Sequence, residues 1–137
     1  MINFKQMVES FGNDIEFSNN LINEKNIASF ENEIEAKFGD ELKYYILNYG
    51  YLAMNDIEFF GINSKQMSKS DMVQTTKDLH INFNLTQNLI AFMKSTDDIY
   101  YLVDENDKMF RFDSVVCTLT PLEIDLITFI KNQLENC

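Results

Sequence analysis

The sequence predicts an α+β domain: helices first, then a small, mostly antiparallel sheet, then one closing helix. Three observations carry this. Up to Tyr49, apolar residues recur at three- and four-residue intervals, the helical period. From Gly50 onward, short runs of Ile, Val, Phe and Tyr alternate with polar turns, as strands and hairpins do. Near the end, Thr-Pro-Leu-Glu precedes a broad apolar stripe, the pattern of a capped helix start.

Phe4, Met7, Val8 and Phe11 define the first helix, and Gly12 is suited to stop it. The stretch NDIEFSNNLINEKN (13–26) is polar, rich in Asn, and reads as loop. Ile27, Phe30, Ile34 and Phe38 mark a second amphipathic helix, with Asn26 at its N-cap, Glu31, Glu33 and Glu35 on its other face and Gly39 at its end. A third helix over 40–48 turns Leu42, Tyr45, Ile46 and Tyr49 inward. In NYGYLAMNDIEFFGI (48–62), Gly50 can take the positive φ that ends this helix, and Gly61 can let the chain leave a strand carrying Ile57, Phe59 and Phe60. Adjacent strand residues point to opposite faces, so Phe59 and Phe60 cannot form one stacking platform.

Residues 64–69 read as loop, and 71–83 as a helix with Met72, Val73, Thr76, Leu79 and His80 on one face. LIAFMKS (89–95) is a mostly buried strand. IYYLV (99–103) and KMFRF (108–112) flank DEND and form a hairpin, with 115–119 adding a strand or an extended connection. The last helix is expected to start with Thr120 at N-cap, Pro121 at N1 and Glu123 at N3, and to bury Leu122, Leu126, Phe129, Ile130 and Leu134. With no repeat and no boundary, residues 1–137 form one domain, large enough to hold a core without a metal or disulfide.

The charge is −11, from 22 acidic against 11 basic side chains. That disfavours nucleic acid and anionic membrane surfaces, which need clustered Lys or Arg, and favours capture of a basic partner. The opening MINFKQMVESFG lacks the apolar core of a signal peptide, and no apolar run approaches the ~18 residues of a membrane span. Cys117 and Cys137 are too few and too badly placed for a structural disulfide, so a cytoplasmic location is expected.

Candidate chemistry is thin. His80 stands alone and makes a poor metal site. Cys117, in SVVCTLT, has no nucleophile turn or helix N-terminus to activate it and reads as a buried strand thiol. A calcium loop starting at Asp104 would have Lys108 at position 5 and Met109 at position 6, so that pattern fails. The pairs Asp97-Asp98, Asp104-Glu105 and Asp40-Glu41 fall in expected loops, where carboxyl groups titrate normally. No phosphate loop, dinucleotide fingerprint or Gly-x-Ser-x-Gly elbow is present. The expectation is a protein with no catalytic residues, no metal and no cofactor.

The order of segments resembles a family. IASFENEIEAKFGDELKYYILNYG, DIEFFGI, DMVQTT, LIAFMKSTDDIYYLVDENDKMFRFDS and a C-terminal helix follow one another as in the SUKH superfamily, named partly for fungal Smi and Knr cell-wall regulators. The resemblance runs from about 27 to 134. Ile46-Leu47-Asn48-Tyr49-Gly50 stands at the family's helix end, Phe59-Phe60-Gly61-Ile62 at its strand end, and Tyr100-Tyr101-Leu102-Val103-Asp104 and Met109-Phe110-Arg111-Phe112-Asp113 at its late strands. Two departures stand out: Phe38-Gly39 replaces the usual Leu-Pro, and Ser95-Thr96-Asp97-Asp98 replaces a Gly-rich turn.

Bacterial members are mostly immunity proteins of polymorphic toxin systems. The resemblance therefore implies binding of a cognate toxin domain, often a nuclease, and carries over no catalytic residues. The alternative it implies is an intracellular regulatory or scaffold module. On the immunity reading, Asp97, Asp98, Glu105 and Asp107 at the hairpin tips are expected to gather into an acidic binding surface, with Tyr51 as a candidate aromatic contact.

Overall fold

The computed structural model of the chain describes residues 2–18, 22–62, 71–96 and 98–136. Among them, in chain order, run α1 (Ile2–Ser10), β1 (Ile15–Phe17), α2 (Glu24–Ile34), α3 (Asp40–Tyr49), β2 (Leu52–Met54), β3 (Ile57–Phe59), α4 (Met72–Phe83), β4 (Ile90–Lys94), β5 (Ile99–Val103), β6 (Lys108–Asp113), β7 (Thr118–Asp125) and α5 (Leu126–Glu135). The seven strands form one sheet in sequence order, each antiparallel to the next. The α+β prediction with a closing helix holds.

The sheet is covered on both faces. In the β5–β6 register Tyr101 lies opposite Arg111 and Tyr100 opposite Phe112, so Tyr101 and Phe112 point to opposite sides. Tyr101 meets Phe129 of α5, with ring centroids 5.0 Å apart, while Phe112 meets Phe83 of α4 at 5.2 Å. β4 lies between and is buried from Ile90 to Met93. Its pairing with β3 is confined to Phe59 opposite Met93. Where β3 has departed, Thr76 Oγ1 of α4 accepts the Ala91 N–H at 2.9 Å. A buried threonine on a helix thus replaces a missing ladder acceptor, since an orphaned buried N–H costs about 1–3 kcal/mol.

The stretch over 48–62 is the junction between helices and sheet. Gly50 ends α3 at φ 71°, its N–H donating to Ile46 O. Gly61 does not have positive φ; it is glycine because a Cβ there would collide with the Gly50 carbonyl oxygen, which accepts the Ile62 N–H at 3.1 Å. Phe59 and Phe60 are both buried. Phe59 packs on Phe92 and Phe129, and the Phe60 carbonyl accepts the Tyr45 hydroxyl.

Four local expectations are corrected. Ile15–Phe17, read as loop, is an edge strand paired with β2; its Ile-Glu-Phe alternation is a strand pattern masked by the polar neighbours. The second helix starts after Asn23, whose side chain accepts the Asn26 N–H while Asn26 reaches back to the Asn23 N–H, and it ends at Glu35 rather than Gly39. Thr120, Pro121 and Glu123 do not cap the last helix. They lie in β7, with Pro121 opposite Phe110 on a sheet edge that tolerates a missing N–H. Asp125 is the true cap, accepting the Thr128 N–H at 2.9 Å. Cys117 is exposed in the turn before β7, not a buried strand thiol. The loop expected over 64–69 lies outside the described residues.

Candidate partner-binding surface

The hairpin tips expected to form one surface lie at opposite ends of β5. The β4–β5 turn carries Asp98 and the β5–β6 turn carries Glu105 and Asp107, with five residues of β5 between them, about 16 Å at ~3.3 Å per residue. Asp97 lies outside the described residues. Asp98 is exposed, and its carbonyl accepts both the Ser114 N–H and the Ser114 hydroxyl, which ties the turn to the end of β6.

The β5–β6 turn divides its three acidic residues among different tasks. The Asp104 carboxylate accepts the N–H groups of Asn106 and Lys108, both at 2.9 Å, and shapes the turn. Asp107 takes φ 61° and is buried, at 6% exposure. Its carboxylate accepts the N–H groups of Glu41 and Leu42 at 3.0 and 3.1 Å, so it caps α3 from across the molecule. Gly39 sits at the N-cap of α3 and has no side chain for that job; a Cβ on it would collide with the Asp107 carboxylate. The expectation that Asp107 stands on the surface is therefore corrected. Of the three acidic residues of this turn, only Glu105 is exposed.

Glu105 joins residues from other elements. It lines a groove of about 360 Å³ with Glu31, Asn32, Glu35, Ala36, Lys37, Gln87 and Asn88. Lys37 is the one cation among these lining residues, against three carboxylates. Glu31 uses one oxygen to accept the Phe38 N–H at 2.7 Å, which fixes the chain after α2. Glu35 ends α2 in the left-handed region, φ 59°, and is exposed. Burial first, and then the nearby charges of Asp40 and Asp104, push the Asp107 carboxyl up, so the acidic zone continues around the turn. Glu33 is set apart, paired with Lys77 at 3.0 Å. Tyr51 is half-buried and is not among the groove's lining residues; burial first, then the charges of Glu16 and Glu58, raise its hydroxyl pKa.

Behind the groove lies a hub of carboxylates that joins two helix starts. The Asp107 carbonyl accepts the Leu126 N–H at 2.8 Å, and the Glu41 carboxylate accepts the Ile127 N–H at 2.9 Å. Burial raises Glu41, partly opposed by the Ile127 bond and reinforced by the charges of Asp125 and Asp107. Burial also raises Asp107, against the N–H bonds from Glu41 and Leu42. Asp125 feels a burial penalty too, but its bonds from Thr128 and Glu41 and the nearby Lys108 charge outweigh it and hold it low. The Asp40-Glu41 pair opens α3, as the helix expected over 40–48 implies, and not a loop; burial raises Glu41 from its ordinary value, which corrects the expectation for that residue.

Sequence reasoning missed Glu31 and Glu35 as groove neighbours of Glu105, and Asp40 as a neighbour of Asp107. The glutamates of α2 and the Asp-Glu pairs were visible one by one. What unites them is the contact between Asp107 and α3, more than 60 residues apart in sequence, which no local pattern reports. The other acid–base candidates have ordinary roles. His80 Nε2 lies 2.7 Å from the Leu89 carbonyl oxygen. Among the described residues no group of three or more His, Cys, Asp or Glu is placed to hold a metal ion, and no helix is long and apolar enough to cross a membrane.

A family model, SUKH_5, described as SMI1-KNR4 cell-wall, matches residues 4–132. The match starts before the region that carried the resemblance and takes in α1 and β1. A solved structure described as a protein from Pseudomonas syringae pv. tomato is similar in fold, with a TM-score of 0.66 at 14% identity over 89% of each chain. No curated protein matches the sequence.

Proposed function

We propose, for a chain that belongs to the SUKH superfamily, that it is an immunity protein which binds a basic toxin domain and masks its working surface. The observation that carries this reading is the groove of Glu31, Glu35 and Glu105 on a chain of net charge −11. A nuclease toxin presents a cationic groove for phosphate, and an acidic surface of this kind can occupy it. The field of the whole chain speeds encounter, by ~10- to 1000-fold at low salt for steered complexes. The protein acts by binding, with no chemistry of its own, in the cytoplasm of the cell that makes it. Glu105 and Glu35 stand nearest the bound partner, and Asp98, at the far end of β5, contributes to the long-range field.

Survival on co-expression tests the reading. Cells carrying a candidate basic toxin domain encoded beside this chain are expected to live with the wild-type chain and to die with a Glu35→Lys/Glu105→Lys variant that still folds. Death in both cases would reject that pairing; survival in both would remove the groove from the interface. A second reading, a regulatory module that binds an endogenous protein, is favoured by the cell-wall description of the family model. A gene neighbourhood without a large secreted protein would support it.

A further inference from the structure

Among the described residues the sheet has two open edges, and they are built differently. β1 is three residues long and carries exposed Glu16 at its centre, opposite Ala53, with Glu58 the next residue across. A charge on a short edge deters pairing with another strand. β7 is eight residues long. Residues 115–121 (VVCTLTP) are all exposed, and none is charged, on a chain whose net charge is −11. Val115 and Val116 are 68% and 64% exposed, and Leu119 is 37% exposed.

The second half of β7 is blunted. Between Phe110 and Lys108 the partner strand advances two residues, while β7 advances four, from Pro121 to Asp125. Glu123 takes φ 60° within that bulge. Pro121 and the bulge close the edge beyond Thr120 by the usual devices. Thr118, Leu119 and Thr120 remain as an open, neutral ladder.

We propose that this open part of β7 pairs antiparallel with the same segment of a second copy, forming a weak two-fold dimer centred on Leu119. The occupant is a second copy because the segment is self-complementary about that residue. An isologous contact needs the same patch to fit itself. Centred on Leu119, Leu119 faces its own counterpart, and Thr118 faces Thr120 of the other copy in both directions. Threonine pairs and apolar pairs are favourable cross-strand neighbours. Pro121 then lies opposite Cys117 of the other copy, outside the ladder, so its missing N–H costs nothing. Moving the centre to Thr120 would bring Pro121 into the ladder opposite Leu119. The edge is also where two copies of an acidic chain can approach with least repulsion, since the patch itself is neutral.

This inference stands apart from toxin binding, and its salt dependence has the opposite sign. Screening weakens repulsion between like-charged copies, so added salt strengthens the dimer, while it slows capture of a basic partner. In sedimentation velocity the mass of the full chain is expected to rise from 16.1 kDa towards twice that value with concentration, and further at high salt. A Val116→Lys/Leu119→Lys variant stays monomeric, whereas Ile81→Lys, at a 78% exposed position on α4, dimerises like wild type. The register has its own readout. With Cys117 and Cys137 changed to Ser, Leu119→Cys is expected to form a disulfide-linked dimer under mild oxidation. Directly opposed strand residues have Cα atoms about 4.5–5.5 Å apart, within disulfide range. Thr118→Cys, two positions from its own counterpart, crosslinks at least tenfold less. A chain that stays at 16.1 kDa at every concentration and salt level overturns the proposal, as does a dimer untouched by the lysines or one in which both cysteines crosslink equally.

Discussion

Asp107→Ala is expected to lower the stability of the fold by about 3 kcal/mol, although the residue lies in a hairpin turn. Two N–H groups at the start of α3 lose their acceptor, and Gly39 offers no side chain to replace it. A lost cap costs about 1 kcal/mol, and burial of the orphaned donors adds to that. The left-handed φ of 61° adds a further penalty, because Ala tolerates that region less well than Asp. Asp107→Asn keeps one acceptor and the tolerance for positive φ, and is expected to lose about half as much. Urea unfolding of the three proteins checks this; a loss within about 0.5 kcal/mol for Asp107→Ala would place the α3 cap elsewhere.

The same hub makes stability depend on pH in a defined direction. Glu41 and Asp107 are both raised by burial, so the folded chain holds protons that the unfolded chain has released. Their contribution is present below the ordinary carboxyl values and is lost as pH rises through the raised ones. Asp125 acts in the opposite sense, losing its contribution as pH falls through its depressed value. Glu41→Gln keeps an acceptor for the Ile127 N–H and an amide donor for Asp125. It is therefore expected to flatten the fall in urea midpoint as pH rises above the ordinary carboxyl range. A slope as steep as wild type would show that Glu41 titrates normally.

Tyr45→Phe is the second large effect, about 3 kcal/mol for the loss of a single oxygen. The Tyr45 side chain has no exposed surface. Its hydroxyl donates to the Phe60 carbonyl at 2.9 Å and accepts the Leu52 N–H at 3.0 Å, so it ties α3 to the start of β2 and the end of β3. Removing it strands one buried donor and one buried acceptor, each costing about 1–3 kcal/mol. The ring contact with Phe92, centroids 5.0 Å apart, is kept in the variant, so the loss reports the hydroxyl. Thermal unfolding is expected to show a midpoint lower by roughly 10 °C or more. An unchanged midpoint would mean that water reaches this junction.

How much of this was legible in the sequence differs by element. α3 and α4 were readable because period and burial agree: Leu42, Tyr45, Ile46 and Tyr49 are buried in one, Met72, Val73, Thr76 and Leu79 in the other. The hairpin of β5 and β6 was readable from its polar turn. The end of the chain was misread because Thr-Pro-Leu-Glu satisfies a helix cap locally, while β6 needs a strand on its open side and takes β7. Leu126, Phe129, Ile130 and Leu134 were still assigned to the right face, since the stripe does not depend on where the helix begins. The acidic surface was half legible. Glu105 was singled out, but Asp107 looked like its equal; only the long-range contact with α3 separates a solvated carboxylate from a capping one.

On the proposed function, the groove of Glu31, Glu35 and Glu105 steers a basic toxin domain onto this chain. Stopped-flow association with the cognate toxin domain, measured across ionic strength, tests it most directly. The rate is expected to fall steeply with salt for the wild-type chain. At low salt it is expected to be about tenfold lower for Glu35→Lys/Glu105→Lys, with a much smaller loss for Asp98→Lys at the far end of β5. A rate independent of salt, or a groove variant that associates as fast as wild type, would contradict it.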